Sequence, residues 1–79
     1  MVSHMTDIAD TTVALGAAIK SRRKRLGMTQ LEVANLSGVN RETVVRAEAG
    51  DEGVAIGTLA RIALAVGLEV TLEPVYRST

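Results

Sequence analysis

The sequence predicts an all-α fold: a compact helical domain with one short β-strand at its C-terminal end. Three observations carry this prediction. Apolar residues recur at helical spacing in successive segments between about Thr12 and Val66. Gly27, Gly38, Gly50 and Gly67 each stand where such a segment ends, the position at which helices commonly stop. Beyond the last glycine, Leu68, Val70 and Leu72 alternate strictly with Glu69, Thr71 and Glu73 until Pro74, the period of a strand with one face covered.

At 79 residues the chain makes one small domain with a modest core. It has no Phe or Trp and a single aromatic residue, Tyr76, so that core must be aliphatic. Without cysteine, neither a disulfide framework nor a thiolate metal site is available. The sequence contains no apolar run of about 18 residues and no signal peptide, so a cytoplasmic, nucleoid-associated location is expected, with no membrane contact. Formal net charge is zero, but its distribution is uneven. Residues 1–50 hold seven Lys/Arg against five Asp/Glu, and residues 51–79 hold two against four. Any attraction to phosphate must come from a local patch.

Met1 to His4, ahead of a second methionine in the string SHM, reads as a cloning remnant with Met5 as the native start. His4 is the only histidine and belongs to that remnant. Residues 5–11 read as a flexible N-terminus. Helix 1 is expected from about Thr12 to Leu26, capped by Asp10 or Thr11 and stopped by Gly27. Leu15, Ile19 and Leu26 form its apolar stripe. Its end is a basic run, Lys20, Arg22, Arg23, Lys24 and Arg25, which suits the negative end of the helix dipole. Successive residues turn by ~100°, so this run covers the whole circumference and at least one cation must face the fold. Arg23, four residues after Ile19, is the one expected there.

Thr29 to Gly50 organises the rest. Thr29 can cap a helix over Leu31–Leu36, with Glu32 three residues on completing a capping box. Ser37-Gly38-Val39 makes the corner, since Gly38 is free to take positive φ. Asn40 then caps a second helix, about Arg41 to Glu48, that closes on Gly50. Two short helices around a glycine-containing turn are the helix-turn-helix pattern. On a ~100° wheel Val44 and Ala47 point inward, Thr43 and Glu48 flank them, and Arg41, Glu42, Val45 and Arg46 point out.

Gln30, Ala34, Gly38, Val39, Val44 and the Glu48–Gly50 close resemble the DNA-binding domain of the lambdoid phage repressors and Cro, the XRE-type family. With Ile19, Arg23 and Leu26 upstream and Thr58-Leu59 downstream, the likeness covers roughly residues 12 to 68. It implies a partly buried ion pair between Arg23 and Glu48; the open alternative is a solvated Arg23 with Glu48 paired locally. It also implies that Gln30, at the start of its helix, meets the DNA backbone. Thr29, Lys20, Lys24 and Arg25 are further phosphate candidates. An outward β-branched Val45 between two arginines suits a groove, where it can touch a thymine methyl. Arg41 or Arg46 can bind guanine O6 and N7, Glu42 can accept from cytosine N4, and Asn40 can bind adenine or phosphate.

Asp51-Glu52-Gly53 departs from relatives that carry lysine there, and its carboxylates would repel DNA. Val54-Ala55-Ile56 replaces the usual Pro-Ser-Leu entry, so helix 4, roughly Ile56 to Val66, is poorly capped. Helix 4 is apolar nearly all round, which makes it central or half of an interface. A lone strand at 68–74 cannot satisfy its ladder, and its cheapest partner is the same strand of a second copy, about a two-fold axis. The alternatives are pairing with the N-terminal segment or an extended tail. The helix-then-strand ending is similar to antitoxins of the HipB type, which implies a dimer through Leu68, Val70 and Leu72 and a toxin partner. Residues 12–67 are therefore expected to be the DNA-binding domain, 68–74 the dimerisation strand and 75–79 a tail.

The function expected is that of a sequence-specific, double-stranded-DNA-binding transcriptional regulator: a homodimeric repressor of a palindromic operator, or an antitoxin regulating its own operon. The alternative is a protein-protein interaction module of the same fold without DNA binding, favoured by the neutral charge and the acidic loop. Neither catalysis, nor a cofactor, nor a metal is expected: the sequence offers no catalytic cysteine or histidine pair, no clustered carboxylates and no Gly-rich phosphate loop.

Overall fold

The computed structural model describes residues 7–74. Four helices follow one another: α1 (Ile8–Arg25), α2 (Gln30–Ser37), α3 (Arg41–Glu48) and α4 (Ile56–Ala65). The expectations for residues 1–6, including His4, and for the tail at 75–79 lie outside the described residues.

α2 and α3 form the predicted pair. Thr29 Oγ1 accepts the Glu32 N–H at 3.0 Å and Glu32 Oε1 accepts the Thr29 N–H at 2.8 Å, so both halves of the capping box are present. Gly38 takes φ +74° and turns the chain toward α3, and the N–H of Val39 closes on Ala34 O. Asn40 Oδ1 accepts the Thr43 N–H at 2.8 Å as the α3 cap. α2 lies against α3 and α4, and α1 against α3. The core between them is aliphatic, with Ile19, Val33, Ala34, Val44, Ala47, Leu59, Ile62, Ala63 and Val66 buried. Ser37 is the buried polar residue, and its hydroxyl donates to Val33 O at 2.7 Å. Against that core pack the half-buried Leu15, Met28, Val39 and Val54.

Two expectations are corrected. α1 begins at Ile8, not Thr12, because Asp7 is the cap and accepts the Ala9 N–H at 2.8 Å. Asp10 and Thr11 sit inside the helix: Asp10 becomes an acid in the first turn, where the dipole favours it, and the Thr11 hydroxyl donates back to Asp7 O. Residues 8–11 are thus helical rather than a flexible lead. Second, Leu68–Pro74 forms no strand, and no strand occurs among the described residues. Leu68 and Val70 instead pack on the core, while Leu72 is 95% exposed. The physical reason is the one that made a lone strand improbable: this single chain offers the segment no ladder partner.

α4 is entered as the sequence indicates. Ala55 occupies its cap with φ −60° and ψ 144°, and no side chain caps the first turn. That backbone already has the extended geometry of a capping residue, so Ala55→Ser needs no rearrangement. We expect it to stabilise the domain by about 1 kcal/mol and to raise the melting temperature by roughly 4–8 °C. Thermal denaturation checks this; an unchanged midpoint would mean that water already serves those N–H groups equally well. One face of α4 is buried through Leu59, Ile62 and Ala63, whereas Leu64 on the other side and Ile56 at the start of the helix are exposed. No helix among the described residues is long and apolar enough to cross a membrane.

Candidate nucleic-acid interface

α3 presents one outward surface. Val44 and Ala47 are buried, Thr43 and Glu48 are half-buried, and Arg41, Glu42, Val45 and Arg46 are exposed, the division the wheel predicts. Val45 sits at 36% exposure with Arg41 and Arg46 on either side in sequence.

α3 is held between α1 and α2, and the charged part of that hold comes from α1. Arg23 Nε donates to Glu48 Oε2 at 2.6 Å and Arg23 Nη2 to Oε1 at 3.1 Å, a two-point contact. The two side chains are 11% and 4% exposed, and Arg23 also closes on Met28 O at 3.0 Å. Burial alone would raise the Glu48 carboxyl, but hydrogen bonds from Arg23 and Gln30 and the nearby charges of Arg23 and Lys20 outweigh it and hold it below the usual carboxylate range. Nearly two turns earlier on α1, Gly16 is buried against the backbone of Ala47 and Glu48. Gly50, just past α3 at φ +81°, lies against Val13 so closely that a Cβ would come 2.7 Å from its Cα.

Several side chains are engaged in ways the sequence did not disclose. Gln30 Nε2 donates to Glu48 Oε1 at 3.1 Å, so its amide joins the ion pair and is not an independent outward group. Asn40 Oδ1 accepts from both the N–H and the hydroxyl of Thr43, each at 2.8 Å, leaving Nδ2 as the group available to a ligand. The Thr29 oxygen is taken up by the capping box. Lys20, Lys24 and Arg25 are exposed on α1. Arg22 is half-buried, and its Nε donates to Val66 O at 3.1 Å, closing the end of α4. Wheel arithmetic could have found it: Arg22 lies ~60° to one side of Ile19 and Arg23 ~40° to the other, so both cations face the fold.

The acidic loop is also not free. The end of α3 is a Schellman close, with the Gly50 N–H on Ala47 O and the Asp51 N–H on Arg46 O, both at 3.1 Å. Asp51 Oδ2 then accepts from Arg46 Nε at 2.8 Å. The hydrogen bond from Arg46, followed by the one from the Gly53 N–H, holds the Asp51 carboxyl below its ordinary range. Glu52 is exposed beside this pair.

Comparison with known proteins adds two findings. The family described as helix-turn-helix matches residues 19–72, about two thirds of the chain. A protein of Methanothermobacter thermautotrophicus named as an uncharacterized HTH-type transcriptional regulator is 41% identical over 51 residues, covering 65% of this chain and 74% of its own length.

Proposed function

The chain belongs to the helix-turn-helix family, of the XRE type that its sequence resembles, and from that premise we propose that it is a sequence-specific double-stranded-DNA-binding transcriptional regulator. The observation that carries this reading is the outward face of α3: Arg41, Glu42, Val45 and Arg46 exposed together on a helix pinned from behind. That combination of two guanidinium groups, a carboxylate and a β-branched methyl pair matches the donors, acceptors and methyls of major-groove base edges. Asn40 Nδ2, the Thr29 hydroxyl, Gln30, Lys20 and Lys24 supply the phosphate side. Because the Gln30 amide already serves Glu48, its contact to DNA is made without breaking the pair only if its remaining N–H turns outward.

The regulator acts as a homodimer, and the operator is palindromic. Support for a second copy is the near-complete exposure of Leu72, which follows Leu68 and Val70 packed on the core, and the uncovered Leu64 on α4. Paired across a two-fold axis, the 68–74 segment gains the ladder it lacks in one chain. Two α3 helices then enter successive major grooves about 34 Å apart. Repression follows where such a site overlaps a promoter, and the protein resides with the nucleoid. The resemblance of the sequence pattern at 68–74 to the ending of HipB-type antitoxins is the support for an antitoxin that represses its own operon while holding a toxin. For the interaction-module alternative the neutral net charge and the exposed Glu52 remain as supports, whereas Asp51 is paired with Arg46 and is not a bare charge.

The test is selection of bound sequences from a random duplex pool, repeated with Arg41→Ala. A palindrome is expected, with preference at one symmetric base pair relaxed by roughly 1–3 kcal/mol in the variant. Absence of enrichment at low salt would leave the interaction module as the surviving reading.

A further inference from the structure

We propose that Asp51 is the positioning residue for Arg46, holding its guanidinium so that its two terminal nitrogens address O6 and N7 of a guanine. This rests on the reading of α3 as the segment in the major groove. The loop after α3 is built around that one contact. The Schellman close sets the Asp51 backbone over Arg46 O. From there the carboxylate is held at both oxygens: Oδ2 accepts from Arg46 Nε at 2.8 Å, and Oδ1 accepts from the Gly53 N–H at 2.7 Å. Arg46 Nη2 lies 2.9 Å from the place a Cβ on residue 53 would occupy, so glycine there leaves the guanidinium its space.

The pair is well exposed, at 45% and 40%, and such a pair contributes little to folding. Its consequence is placement. With Nε committed to Asp51, Nη1 and Nη2 have no hydrogen-bond partner among the described residues, and they form the parallel pair of donors that guanine accepts in the major groove. Ordering the side chain before binding removes part of the entropy lost on contact. The acidic loop, a repulsive departure by sequence alone, thereby becomes part of base discrimination.

The experiment measures affinity by fluorescence anisotropy for the selected duplex and for duplexes changed at each symmetric base pair. The proteins are the full chain, R46A, D51A, D51N, G53A and R46A/D51A. R46A should relax preference at one symmetric G·C pair by roughly tenfold. D51A and G53A should relax the same pair, with melting temperatures close to that of the parent. D51N, whose amide oxygen can still accept from Nε, should retain more preference than D51A, and adding D51A to R46A should change nothing further. If D51A and D51N instead bind every duplex more tightly with preference intact, the carboxylate only repels phosphate and the proposal falls. R46A with preference unchanged also overturns it, while leaving the DNA-binding reading standing on Arg41. A parent chain that selects no duplex at all removes that reading itself.

Discussion

Gly16→Ala is expected to destabilise the domain, although alanine is the better helix former by about 1 kcal/mol. A Cβ on residue 16 would stand 2.4 Å from Ala47 O, 2.7 Å from Glu48 O and 2.9 Å from Glu48 C. These are backbone atoms, so no rotamer change relieves the clash; α1 and α3 must move apart. Overpacking typically costs about 1–3 kcal/mol, and a rigid partner puts Gly16→Ala near the upper end and Gly16→Val beyond it. Against a total of roughly 4–12 kcal/mol for a chain of this size, the valine variant should be partly unfolded at moderate temperature. Gly57→Ala is the control. It lies in the first turn of α4 with nothing within 4 Å of its would-be Cβ, and it should stabilise by up to about 1 kcal/mol. Urea denaturation of the two alanine variants should give shifts of opposite sign. Equal stabilisation would mean that α1 and α3 do not touch at Gly16.

That contact explains why some of the architecture was legible in the sequence and some was not. Whatever depends on local chemistry could be read: the capping box at Thr29 and Glu32, the Asn40 cap, the positive-φ turn at Gly38, the inward Val44 and Ala47, and the bare entry to α4. Each is fixed by residues within a few positions of one another. Gly16 gave no such signal. A glycine inside a helix reads as a small loss of propensity, and only the tertiary approach of α3 shows why no side chain fits there. Arg23–Glu48 was reached through family likeness, because 25 residues separate the partners. Arg22 was hidden by the basic run in which it stands, and Asp51 by its charge, which suggested repulsion when its nearest cation was five residues back across a Schellman turn. The N-cap of α1 is ambiguous in sequence because Asp7, Asp10, Thr11 and Thr12 are all competent caps, and Asp7 is the one used. The strand pattern at 68–74 describes which faces are apolar, and it does not say what supplies the ladder.

The second large effect lies at the far end of the same α1–α3 contact. Glu48→Ala removes the counterion of a largely buried guanidinium and the acceptor of the Gln30 amide, and is expected to cost about 3 kcal/mol. Arg23→Met/Glu48→Leu, which removes both charges and keeps volume, should cost much less, because no uncompensated charge stays behind. The pair also makes a pH signature. Its carboxyl titrates lower in the folded chain than its ordinary value of 4.5, so the native state holds fewer protons than the unfolded state in acid. The stabilisation is therefore fully present above that value and is lost as pH falls through the depressed folded one. Denaturation midpoints measured from neutral pH downward should decline over this window in the parent and decline less in the double variant. The exposed Asp51, shifted the same way, adds little to that slope. A parallel decline in both proteins would place the acid-sensitive group elsewhere. The functional consequence separates the inward contact of α3 from its outward face. Loosening Arg23–Glu48 tilts the whole helix, so affinity should fall for every duplex alike. Arg41→Ala or Arg46→Ala should leave the helix seated and relax preference at one symmetric base pair while the others stay discriminated.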